Sequence, residues 1–141
     1  MSQELQCVEH VTGSNITVKE KGRRANFKNP NNASFQRVRV DDCLITEGPR
    51  ADWIINKIGV GSVVIELKGK GVEYACKQLS ATVIHPNVQP WLQSRKALLV
   101  MCSRYPKFDT IVAKATAAAR SKGMKLFVAC NDRDFVLEDL L

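Results

Sequence analysis

The sequence predicts an α/β domain built on one mixed sheet, an antiparallel meander followed by helix, strand, helix and strand, with helices flanking the sheet. Three observations carry this reading. Between positions 35 and 68, short runs rich in β-branched residues are separated by turns bearing Gly and Pro, the mark of a meander. From Lys70 to Ile84 the apolar residues move to helical spacing. Lys96 to Cys102 is then almost continuously apolar, as a strand buried on both faces must be.

Each element follows from local chemistry. Asn15–Glu20 and Arg23–Phe27, joined at Lys21-Gly22, form a short hairpin, a basic N-terminal extension covering about 14–34. Asn29-Pro30-Asn31-Asn32 is a loop, and Phe35 to Ile45 alternates apolar and polar residues as a strand does. Glu47-Gly48-Pro49 turns the chain into a strand over Ala51–Asn56. Gly59 and Gly61 supply the backbone freedom for a reversal, and Ser62–Lys68 returns. In the first helix Val72, Ala75, Cys76, Leu79 and Val83 form one apolar stripe, and Pro86 and Pro90 end it. Phe108 to Lys122 is an alanine-rich second helix with Asp109 as N-cap and Gly123 as stop. Lys125–Cys130 is the last strand. No repeat or low-complexity linker interrupts the 141 residues, so 1–141 is read as a single domain.

Composition narrows the class. Hydrophobic residues at 45% and charged residues at 25% are ordinary for a globular protein. No stretch approaches the length of a membrane-spanning helix and the first residues lack a signal peptide's pattern, so a cytoplasmic protein without a membrane partner is expected. Five cysteines are odd in number, widely spaced and without a C-x-x-C pair. They are read as small core residues, with neither a zinc site nor a disulfide framework. The net charge of +7 is concentrated: Lys19, Lys21, Arg23, Arg24, Lys28, Arg37 and Arg39 face the single acid Glu20 in that stretch. Such a surface suits a polyanion, most simply nucleic acid.

The chemistry gathers at the Gly59 reversal. With the turn centred there, position 52 lies across from position 66, and strand alternation puts Asp52, Glu66 and Lys68 on one face. A strand this apolar rarely carries Glu and Lys without a reason.

That constellation resembles the PD-(D/E)XK, or restriction-endonuclease-like, nuclease superfamily: an Asp on one strand, Glu-x-Lys at the end of the next, then a helix and a further strand. The resemblance covers roughly residues 35 to 130, with Arg50-Ala51 where the family's leading Pro would stand. It implies that Asp52, Glu66 and the backbone carbonyl of Leu67 hold Mg²⁺ (or Mn²⁺), while Lys68 assists the attacking water. Gln78 matches the start of a Gln-x-x-x-Tyr pattern on the following helix in one branch, with Thr82 in place of the Tyr, and is a further catalytic candidate. Family members often carry an additional Glu on an opening helix, for which Glu4 and Glu9 are the early candidates. Asp41-Asp42 are an alternative to Asp52.

The resulting expectation is a metal-dependent nuclease, on DNA rather than RNA, with Lys21, Arg23, Arg24, Lys70 and Lys77 binding the nucleic acid. In so small a chain, specificity would be low or come from a homodimer or a partner protein. The alternative is a noncatalytic nucleic-acid- or protein-binding regulator on the same fold, of the phage interaction-factor kind. His10 and His85 are isolated and no Ser or Cys has a His-Asp set beside it, so nucleophilic hydrolase chemistry finds no support.

Overall fold

The computed structural model describes residues 6–20, 22–69, 71–102, 109–130 and 133–141, with the side chains of Lys68 and Asp109 outside that description. The architecture is α/β with two sheets. Six strands form the larger one, in the order β1 (Val8–Val11), β4 (Phe35–Arg39), β5 (Trp53–Lys57), β6 (Gly61–Gly69), β7 (Lys96–Cys102) and β8 (Lys125–Cys130). The pairs from β1 to β6 are antiparallel, and β6, β7 and β8 run parallel. The smaller sheet joins β2 (Asn15–Glu20), β3 (Arg23–Lys28) and β9 (Arg133–Phe135). Helices α1 (Val72–Ile84) and α2 (Asp109–Ser121) follow β6 and β7, and a short α3 (Leu137–Leu140) ends the chain.

The large sheet is buried on both faces, which explains the apolar runs of β6 and β7. On one face Val38, Ile54, Val64, Leu98 and Val100 pack against Val72, Ala75, Leu79 and Val83 of α1 and Ala119 of α2. On the other, Ile55, Val63, Ile65, Leu67, Leu99 and Met101 pack against Ile16, Val18, Ala25 and Phe27 of the β2–β3 hairpin. The basic hairpin is thus a second layer over the sheet, closed by β9, where Phe135 meets Phe27 with ring centroids 5.6 Å apart.

The reversal at Gly59 has the expected register. Trp53 pairs with Ile65 and Ile55 with Val63, and Gly59 takes φ +80°, where a side chain would be strained. Gly61 is needed for space, since a Cβ there would lie 2.5 Å from a Leu141 methyl.

Three expectations are corrected. The strand predicted over 35–45 ends at Arg39, because Val40 to Ile45 folds into a tight turn. There the Ile45 amide donates to the Val40 carbonyl and Asp42 adopts a left-handed φ of 56°. Second, β1 adds an unforeseen strand against β4. Third, Cys7 and Cys43 are joined in a disulfide, against the expectation that all five cysteines are core thiols. It ties the start of β1 to the Val40–Ile45 turn, residues distant in sequence that only the β1–β4 pairing brings together. Cys102 is buried and free, as expected, and Cys76 and Cys130 are free and half-buried. Among the described residues, no helix is long and apolar enough to cross a membrane.

Candidate metal centre

Position 52 falls one residue before β5, and its backbone continues the pairing: the Asp52 amide donates to the Ile65 carbonyl at 3.0 Å. Even-numbered residues of β5 and β6 face the helices, as Ile54 and Val64 do, so Asp52 and Glu66 emerge together on the α1 side. Both carboxylates are buried, at 8% and 5% exposure, where an unpaired charge is costly. Asp52 Oδ2 accepts the Leu67 amide at 2.9 Å, which locks the side chain onto the β6 backbone.

The approach to Asp52 is held by α1. The Gln78 side-chain amide donates to the Arg50 carbonyl at 3.0 Å. Thr82 Oγ1 accepts the Ala51 amide at 2.8 Å and donates to the Gln78 carbonyl at 2.7 Å. Gln78 and Thr82, one helical turn apart, therefore both act on the two residues leading into Asp52. Gln78 also reaches the Glu66 carboxylate and lines the cleft beside it.

Sequence reasoning missed Glu20 and offered Asp41 only as a substitute for Asp52. Asp52 and Glu66 open into a cleft of about 260 Å³ that is also lined by Glu20, Asp41, Arg50, Tyr74 and Gln78. Carboxylate oxygens of Glu20, Asp41 and Asp52 all lie within 4.8 Å of one another. Asp41 thus joins Asp52 instead of replacing it. Glu20 arrives from the end of β2, not from an N-terminal helix: Glu9 bonds Arg37 on β4 at 2.8 Å, and Glu4 lies outside the described residues. The signal for Glu20 was its isolation as the one acid of a basic hairpin. Arg50 braces the Val40–Ile45 turn, pairing with Asp41 at 2.7 Å and Asp42 at 2.8 Å. Tyr74, 60% exposed, stands at the rim.

Burial and, after it, the neighbouring Asp52 carboxylate push the Glu66 carboxyl up to about 8. Its Oε1 is buried and, among the described residues, has no hydrogen-bond partner. A buried acceptor left open beside three further carboxylates is what a bound cation would satisfy. The donors are all carboxyl oxygens, which suits a hard divalent ion such as Mg²⁺ or Mn²⁺. On this test the residues fit the group.

The other site residues divide. Lys68 lies in β6 two residues past Glu66, in the stretch where the pairing with β7 shifts register between Glu66 and Gly69; its side chain lies outside the described residues. Leu67 turns its side chain into the hairpin-side core and its amide to Asp52. Lys21 and Lys70 lie outside the described residues. Arg23 is half-buried and donates to the Gly22 carbonyl, and Arg24 is exposed on β3. Lys77 lines a separate, largely apolar groove with Cys76, Ala115 and Met124, away from the acidic cleft.

Searches of family models, curated proteins and solved structures returned no match to this chain.

Proposed function

We propose that the chain is a metal-dependent phosphodiesterase of the restriction-endonuclease-like kind, acting on nucleic acid and on DNA in preference to RNA. The observation that carries this is Glu66: a buried carboxyl with an open oxygen, beside Asp52, in a cleft that also gathers Asp41 and Glu20. A divalent cation bound there would neutralise developing charge and acidify a water, as phosphodiester hydrolysis requires.

In this reading Asp52 and Glu66 hold the ion. The Leu67 amide fixes Asp52, while Gln78 and Thr82 fix the chain that delivers it. Lys68, two residues beyond Glu66, is the proton-transfer group, a role closed to Arg by its high pKa. The net charge of +7 supplies the attraction for a phosphate backbone.

Calorimetry with Mn²⁺ on wild type and Glu66→Ala tests the site, and incubation with DNA tests the reaction. The expected result is binding that Glu66→Ala abolishes, together with cleavage that EDTA stops and Lys68→Ala cuts by orders of magnitude without unfolding. Equal heats in both proteins would end the metal-site reading. A protein that binds the ion and nucleic acid but cleaves no DNA or RNA would be the noncatalytic regulator.

A further inference from the structure

We propose that Glu20 is a ligand of the bound cation, which thereby clasps the basic hairpin to the central sheet and couples metal binding to nucleic-acid binding. This rests on the metal-site reading above and goes beyond it, because Glu20 belongs to a different sheet from Asp41 and Asp52.

Glu20 is the last residue of β2, and Arg23 sits directly across from it in β3. A surface glutamate so placed ordinarily pairs with its basic neighbour. Here Arg23 donates to the Gly22 carbonyl, and among the described residues no hydrogen bond or ion pair reaches Glu20. Its carboxylate lies instead within 4.8 Å of oxygens of Asp41 and Asp52, which belong to the six-stranded sheet's turn and hairpin. Among the described residues only Asp41 of these acids has a cationic partner, Arg50. Anions brought this close repel one another unless a cation lies among them.

Glu66 gives the independent sign that a ligand belongs here. It is 5% exposed, lines the same cleft, and keeps a buried oxygen that has no partner among the described residues. Oxygen atoms from two sheets, all anionic or open, make a site for a hard divalent ion.

The hairpin is also basic. Lys19 and Arg24 face each other across β2 and β3, both exposed. A phosphate backbone lying over that pair would be attracted to both cations. An ion that holds Glu20 against Asp52 fixes the end of the hairpin that carries Lys19 and Arg24. By linkage, each ligand then strengthens the other to the same degree.

The experiment uses the full chain, with Ca²⁺ as the cation and a fluorescently labelled DNA duplex as probe, at matched ionic strength. Wild type should bind the duplex at least about fivefold more tightly with Ca²⁺ than with EDTA, a coupling of ordinary size. Glu20→Gln should weaken Ca²⁺ binding at least about tenfold by calorimetry, the loss of one charged ligand, and erase the Ca²⁺ effect on the duplex. Its affinity in EDTA should match wild type, and its thermal midpoint in EDTA should not fall. If Glu20→Gln binds Ca²⁺ as wild type does, or if Ca²⁺ leaves wild-type duplex affinity unchanged, the clasp is wrong while the Asp52–Glu66 site stands. If wild type itself binds no Ca²⁺ and no Mn²⁺, both readings fail together. Glu66→Ala separates the two, since it should lose the ion altogether.

Discussion

Divalent-cation binding should release a proton, and Glu66 fixes how much. Without an ion, burial and Asp52 raise its carboxyl to about 8, so at pH 7 about nine molecules in ten carry the proton. A cation needs the carboxylate, so binding at pH 7 should expel about 0.9 proton per ion. Apparent affinity should rise about 50-fold between pH 6 and pH 8 and level off above that, the course of a single ionisation near 8. Calorimetry in buffers of differing ionisation enthalpy reads the proton count directly, and titrations across the pH range read the affinity. Glu66→Gln, which has no proton to lose, should bind more weakly and with a flat profile over the same range. A wild-type profile flat from pH 6 to 8, with no buffer-dependent heat, would mean that Glu66 does not meet the ion.

Stability without metal should run the other way. The folded chain keeps the Glu66 proton up to about 8 and the unfolded chain loses it near the ordinary 4.5, so stability should decline as pH rises through that window. Urea titrations at pH 5 and pH 8 in EDTA check it, and Glu66→Gln should remove most of the decline. Reducing the Cys7–Cys43 bond, which spans 36 residues, should cost up to about 4 kcal/mol in the same assay, while Cys43→Ser should make the protein indifferent to reductant. Thr82→Val should cost about 1–3 kcal/mol by leaving the buried Ala51 amide unpaired, and should loosen cation binding through Asp52; unchanged calorimetry would show that Asp52 needs no bracing from α1.

What could be read in advance was whatever local rules determine. The Gly59 turn and the period of a strand were enough to bring Asp52 and Glu66 to one face, because register follows directly from the turn. Helical spacing located α1 and its buried stripe, and an unbroken apolar run identified β7 as central. The failures are where distant segments meet. Residues 35–45 alternate as a strand does, yet the left-handed Asp42 folds Val40–Ile45 back and so delivers Asp41 to the cleft. Nothing near Cys43 points to Cys7. A hairpin's own sequence does not say which surface its tip will touch, so Glu20 read as a lone acid among bases until the two sheets were stacked.

The parallel pairing of β3 with β9 has a consequence in time. Ala25, Asn26 and Phe27 lie beside Arg133, Asp134 and Phe135, and the Asn26 side chain donates to Asp134 across 108 positions at 3.2 Å. The β2–β3 hairpin can form locally within microseconds, but its flanking strand is made 108 positions later. At ordinary synthesis rates those 108 positions take about 5–20 s. Through that interval Glu20 has no completed sheet to hold it over Asp41 and Asp52, so the cleft that gathers these carboxylates waits on a strand made long after the hairpin itself.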